Sequence, residues 1–532
     1  MSSSKFVKSM LQEEKKVTKV DPYLSKNELP EETVARILLT GIVKNQFYRS
    51  ADAIVNEATQ VFIERAKIDP EFLLKGACVA RNSHMKGMVK VALAALNGNA
   101  REEFLSNDTV RAAAIELLKT FHPGQLIQFV ELCKSKKFGR GFGARPQKWV
   151  RGAMESWSPK KLEDYTLKYP QALNQLVRLV HPRYVDSRSN LIKYVIDGKK
   201  NEATGKKQLA VEVMKTFTDK SKIALSMIDN EIPWDVVKGF AGLDGPLALS
   251  SLTQMELTAL LLNIRSLEEH GAFNTSQGIQ ALKLKMDEVK NGRSIPLDFA
   301  KPYIHCSNSK IQDILLDAMA ATLDVNMGNL EGLKVGVSVD ISGSMSGETL
   351  QTAGLMSVPF LKAKNLWFTT FDTSLYEETC QRNQNKYSYN YGYGTGFGGC
   401  CPKISGLSRK EQIKNLLSMR TAGRTDVSIS LRQAIQDKRK LDLMVIVTDE
   451  QQNSGTPLMK VWKEYKKLVN PEAQLWVVNA TNNKWHSADF GDPSVTVYQS
   501  ITPAIFRNLE YIGQPVSQAV RNFDLKKFVT NG

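Results

Sequence analysis

The apolar residues of this chain change their spacing once, and that change constrains the fold more than any other feature. From about residue 31 to residue 300 they recur every three or four positions, as in "EETVARILLTGIVKNQF", "SADAIVNEATQVFIERAK", "PEFLLKGACVARN" and "QMELTALLLNIRSLEEHG". That period lays one apolar stripe along a helix, and strand-like alternation is nearly absent. Prolines stand where one helix would close and the next open, at Asp69-Pro70, His122-Pro123, Ser158-Pro159, Tyr169-Pro170 and His181-Pro182. A proline in a first helical turn forfeits no hydrogen bond, so these positions punctuate helices rather than break them. The expectation is a series of antiparallel helix pairs, each burying a face on its neighbours.

Past residue 330 the pattern is different. "LKVGVSVD", "LWFTTFD", "LDLMVIVTD" and "QLWVVNA" are short runs rich in β-branched and aromatic residues, separated by "GETLQTAGLMSVPFLKAK", "RKEQIKNLLSMR", "VSISLRQAIQDK" and "PLMKVWKEYKKLV" at helical spacing. Strands alternating with helices predict a doubly wound, mostly parallel sheet covered on both faces, with a ligand crevice at the carboxyl ends of the strands. The chain thus divides into a charge-rich tail over residues 1–30, an α-solenoid of the HEAT sort over 31–330, and an α/β domain over 331–532: an α plus α/β fold class. "QRNQNKYSYNYGYGTGFGGC", residues 381–400, is too polar and glycine-rich to bury a core and reads as a mobile loop in the second domain.

Composition narrows the function. The net charge of +16 points to a polyanionic partner. Before residue 330 there are 47 basic against 37 acidic residues, and after it 24 against 18, so most of the excess lies in the helical part. The densest run, "KSKKFGRGFGARPQKWVR" at 134–151, carries seven basic and no acidic residues, including Lys134, Lys136, Lys137, Arg140, Arg145 and Lys148. Phe138, Phe142 and Trp149 interrupt it, and cations mixed with aromatics suit phosphates and unstacked bases together. Arg178 and His181 in "RLVH" lie three apart and would share a face if the helical turn continued, with Lys168 on the preceding segment. No run reaches the ~18 uncharged residues of a membrane span, and the charged N-terminus does not read as a secretory signal. Six irregularly spaced cysteines give neither a disulfide framework nor paired zinc knuckles, which places the chain in a reducing, cytoplasmic setting.

One constellation carries chemistry. "KVGVSVDISGSMSG" ends an apolar run on Asp340 and then sets hydroxyls at Ser342 and Ser344. "AGRTDVS" supplies Thr425 and Asp426, and "VIVTDEQ" supplies Asp449 after a further strand. Loops at one sheet edge can bring these hard oxygen donors around one magnesium-class cation, which takes water and one or two carboxylates in its shell. There is no G-x-x-x-x-G-K-[ST] loop, "DISGS" lacks the second acid of an aspartate-nucleophile phosphatase, and the histidines form no ligand spacing. A catalytic function is not expected.

The series D-x-S-x-S, loop threonine, and aspartate after the later apolar run resembles the metal-ion-dependent adhesion site of von Willebrand factor A domains. The resemblance implies Asp340, Ser342, Ser344, Thr425 and Asp449 as ligands of a divalent cation, magnesium, with a position left for an acidic group of a partner. A basic helical array followed by such a domain also resembles the Ro autoantigen (Ro ribonucleoprotein) family, whose helical part is the module named for telomerase, Ro and vault proteins. "FGRGFGARPQKWVRGAMESW", "LKYPQALNQLVRLVHPRY", "MELTALLLNIRSLEEHG" and the spacing into "VSVDISGSM" carry that likeness over roughly residues 30–525.

The family implies a ring of HEAT-like helices held shut by the A domain, small structured Y RNAs on the basic outer face, and single-stranded ends of misfolded noncoding RNA in the hole. It implies Lys168, Arg178 and His181 as Y RNA contacts, and Arg140, Arg145 and Lys148 as part of the RNA surface. Arg424 replaces a small residue before the metal threonine, and the Tyr/Gly loop is additional. The expected function is an RNA-binding scaffold in RNA quality control, with no membrane role, that presents RNA to a nuclease or other protein through the metal site. The competing expectation is a metal-dependent protein-interaction adaptor that binds no RNA.

Overall fold

The computed structural model describes residues 31–530 apart from 41–50, 84–86, 185, 187, 198–205, 292–293, 327–329, 331, 379–400, 422, 450–451, 453, 481–491, 493, 500–508 and 510–515. The tail over 1–30 and the Tyr/Gly segment 381–400 therefore lie outside the described residues. The described chain falls into two compact units. One holds the chain up to Leu282 together with the residues from Val516 onward, and the other runs from Lys283 to 515.

Among the described residues the first unit is built of helices and contains no strand. "PEFLLKGACVARN" is a helix over Pro70–Asn82, opened by the Asp69 side chain accepting the Phe72 N–H at 3.1 Å. Pro123, Pro159 and Pro170 likewise stand at the first position of their helices. His181-Pro182 differs: His181 closes its helix in the left-handed conformation, φ 47°, and Pro182 follows in irregular chain. The helix Val89–Asn99 is apolar on nearly every side. It is buried because Ala51–Ile68, Pro70–Asn82 and Pro123–Lys134 pack around it.

The chain returns to this unit at its end. Helix Val516–Arg521 packs on Glu31–Thr40 and Pro70–Asn82, and Leu525–Thr530 packs on Asp108–Lys119. Arg521 holds the join, pairing with Asp69 at 2.8 Å and with Glu31, its guanidinium 5.1 Å from the Phe72 ring centre.

The second unit is built on a six-stranded sheet of β1 (Lys334–Asp340), β2 (Asn365–Phe371), β3 (Leu375–Glu377), β4 (Leu443–Thr448), β5 (Gln474–Asn479) and β6 (Val495–Gln499). The order is β3-β2-β1-β4-β5-β6, parallel except for the short antiparallel edge strand β3. All of β4, and all of β1 after Lys334, is buried, as expected of central strands covered on both faces. Helices Ile429–Gln436 and Leu458–Leu468 close one face with Trp462 and Tyr465 in its core. Helix Ser309–Asn326 packs here too, with Lys410 between Asp313 at 2.7 Å and Asp317 at 2.8 Å. The change in apolar spacing at residue 330 is thus a change of secondary structure, and the compact units divide elsewhere. Among the described residues no helix is long and apolar enough to cross a membrane.

Candidate metal centre and basic surface

β1 and β4 are neighbours in the sheet and are the strands between which the order reverses, so their carboxyl ends flank the crevice where ligands bind in open α/β sheets. Asp340 ends β1 and Asp449 follows β4, both buried. Asp340 Oδ1 accepts the Ser342 N–H at 2.9 Å and Oδ2 accepts the Thr448 hydroxyl at 2.6 Å, which fixes its carboxylate plane. Burial pushes the Asp340 carboxyl up to about 6; the Thr448 and Ser342 hydrogen bonds oppose that rise, and the neighbouring charge of Asp449 adds to it.

Four loops mesh at this edge. The Ile341 N–H donates to Phe371 O at the end of β2 (2.8 Å), and the Gly343 N–H donates to Gly423 O (3.2 Å). The Asp426 N–H donates to Asp372 O (2.9 Å). The Ser454 hydroxyl, in the loop after β4, donates to Thr425 O at 2.9 Å. Gly423 has φ 62°, and a Cβ there would stand 2.4 Å from Asp372 Oδ2, so conformation and space both demand glycine. Asp340, Ser342, Thr425 and Asp449 are buried at this junction, while Ser344 is exposed.

These residues fit a small hard cation. Ser342 Oγ and Ser344 Oγ are 3.2 Å apart, close to the ~3 Å between adjacent oxygens in an octahedron of magnesium-length bonds. Among the described residues no group of three or more His, Cys, Asp and Glu stands at metal-binding distance, so an ion here would rely on hydroxyls. Asp426 is already committed: it takes the Arg432 guanidinium at 2.6 Å and the Ser428 hydroxyl at 2.9 Å. Asp372 is an acid that sequence reasoning passed over. It follows β2 as Asp340 follows β1, and burial raises its carboxyl. The signal was the shared ending of "LWFTTFD" and "VSVD".

On the helical unit, Lys134, Lys136, Lys137, Arg140 and Lys148 are exposed and Arg145 is half-buried. Their loop is held rigidly. Asn97 Nδ2 donates to Gly141 O at 3.0 Å and Asn99 Nδ2 to Phe138 O at 3.1 Å, while Gly98 lies against the Phe138 carbonyl. Phe138 and Trp149 anchor the segment from the core, both buried, and cannot stack on bases; Phe142 alone of the three is partly exposed. Lys168 pairs with Asp235 at 3.1 Å. Arg178 donates to Asn174 Oδ1 at 2.6 Å, and the left-handed turn at His181 ends the helix, so the two side chains are not successive members of one continuing face.

The family model for the Ro60 von Willebrand factor A domain matches residues 402–498, a stretch that includes Thr425 and Asp449. The crystal structure of Deinococcus radiodurans Ro (RSR) protein superimposes with a TM-score of 0.69 at 18% identity, covering 90% of this chain and 99% of that one. The chain therefore has the Ro fold, and part of its α/β domain matches the Ro60 A-domain model. No curated protein sequence matches it significantly. The Ro fold is, as here, a mostly helical N-terminal region followed by a sheet of mainly parallel strands. The A-domain match begins after the D-x-S-x-S loop, so Asp340, Ser342 and Ser344 rest on the geometry given above.

Proposed function

We propose that this chain is an RNA-binding scaffold. It holds small structured, Y-like RNA and the single-stranded ends of misfolded noncoding RNA, acts without chemistry of its own, and serves cytoplasmic RNA quality control. Its A domain binds magnesium through Asp340, Ser342, Ser344, Thr425 and Asp449, and takes an acidic group of a nuclease or other protein at that ion. When bound, the ion supplies a positive centre for that carboxylate. The protein's own residues orient the donors: Thr448 and the Ser342 amide hold Asp340, and Gly343 and Gly423 join the two loops.

The observation that carries the RNA reading is the rigid, acid-free segment at 134–148, which displays five exposed cations on the helical unit of a Ro-type chain. Contact with five single-strand phosphates gives a slope of roughly −3.5 for log affinity against log salt, so raising salt fourfold should weaken binding about a hundredfold. Measuring affinity for a tailed stem–loop RNA across that range, and sequencing the nucleic acid that co-purifies, tests the proposal. Affinity that stays flat with salt, or that depends on Asp340 alone, refutes it.

A further inference from the structure

The basic surface contains an acid of its own. Segment 134–151 has no acidic residue, yet Glu102, from a different part of the chain, reaches into it. Arg140 Nη1 meets Glu102 Oε1 at 3.2 Å, and Arg145 Nη2 meets Oε2 of the same carboxylate. Each guanidinium takes a different oxygen, which is how two arginines hold the two non-bridging oxygens of a phosphodiester. The side chains of Glu102, Arg140 and Arg145 are 55%, 39% and 26% exposed, so solvent reaches and screens both pairs. The backbone that carries Arg140 is fixed by Asn97, Asn99 and the buried Phe138. The site is therefore formed before any ligand arrives.

We infer that Arg140 and Arg145 form a two-arginine phosphate clamp that Glu102 fills in the free protein, and that an RNA phosphodiester displaces Glu102 on binding. The inference rests on the RNA-binding reading and adds a gate to it: the carboxylate stands in for the phosphate and sets an affinity threshold. Lys136 and Lys148 have no ion-pair partner among the described residues, so they attract RNA without such competition. Only the two arginines are gated.

Glu103 supplies a charge-matched control, because it is the next residue, exposed, and in no ion pair among the described residues. Affinity for a labelled stem–loop RNA with a single-stranded tail is measured for the full chain and for Glu102→Gln, Glu103→Gln, Arg140→Gln/Arg145→Gln and the triple variant. Releasing two solvent-screened pairs should tighten binding about two- to thirtyfold in Glu102→Gln. Glu103→Gln should change it less than about twofold, and the gain should vanish in the double-arginine background.

Equal gains from Glu102→Gln and Glu103→Gln would mean that net charge alone acts, and would overturn the clamp. So would weaker binding by Glu102→Gln with its melting temperature unchanged. If neither the parent nor any variant binds RNA, the RNA reading falls and the clamp falls with it. If the parent binds and Lys136→Gln weakens it while Glu102→Gln has no effect, only the clamp falls.

Discussion

Replacing Asp340 with asparagine separates the cost of a buried carboxylate from the gain of a bound ion. The metal-free protein holds this carboxyl at about 6 against an ordinary 3.8, chiefly because burial disfavours the charge. A raised folded-state value means that the stability linked to this group is fully present below 3.8 and is lost as pH rises through about 6. The loss at neutral pH is of order 3 kcal/mol, from about two pH units at 1.36 kcal/mol each. Asparagine keeps an oxygen to accept the Ser342 N–H, and its amide can donate to the Thr448 hydroxyl, which rotates to accept.

In EDTA at pH 7.5 Asp340→Asn should therefore stabilise the second unit by about 1–3 kcal/mol, the charge-assisted hydrogen bonds it gives up accounting for the range. Amides of β1 and β4 should exchange with solvent roughly 5- to 150-fold more slowly than in the parent. Magnesium should slow exchange in the parent in proportion to ligand occupancy and leave the variant unchanged. Faster exchange by the variant in EDTA, or magnesium protection equal in both proteins, would refute the reasoning.

Three further outcomes follow from particular contacts. A Cβ at Gly98 would stand 1.4 Å from Phe138 O, so Gly98→Ala should displace the basic loop, cost about 3 kcal/mol and weaken RNA binding, read by urea melts and filter binding. Burial pulls the Lys90 ammonium down to about 8, so the first unit should gain stability as pH rises from 8 toward 10.5, by up to about 3 kcal/mol. Lys90→Met should flatten that rise, measured as the difference between parent and variant at each pH. Arg521→Ala removes the Glu31 and Asp69 pairs and the Phe72 contact at a half-exposed site, which should cost about 1–2 kcal/mol. Its amides over 31–40 should exchange faster while those of β4 stay as they were.

Much of the architecture is written locally. The four long apolar runs after residue 330 are β1, β2, β4 and β5, because burial on both faces leaves a continuous apolar signature in the residues themselves. The helix openers at Pro70, Pro123, Pro159 and Pro170 were legible for a similar reason, since a proline's missing N–H and fixed φ act on its own turn. The edge strands β3 and "VTVYQ" of β6 were not: β3 is only three half-buried residues, and each pairs on one side alone, so neither carries the long apolar run of a central strand. The donors at Asp340, Ser342, Ser344, Thr425 and Asp449 could be named in advance as residue types at strand ends. That Asp372 joins their loops, and that Asp426 is spent on Arg432, could not.

Residue order alone established the two kinds of secondary structure, the crevice-edge position of the hydroxyl and carboxylate set, and the acid-free run at 134–151. Tertiary structure decided that Phe138 and Trp149 turn inward, that the left-handed turn at His181 ends the helix beside Arg178, and that Glu102 reaches Arg140 and Arg145. It also decided that Val516–Arg521 returns to Glu31 and Asp69. The physical reason is common to these cases. Periodicity and composition report how a residue meets solvent and its near neighbours, whereas burial of an aromatic within a mixed run, or a charge pair between distant segments, depends on which surfaces the folded chain brings together.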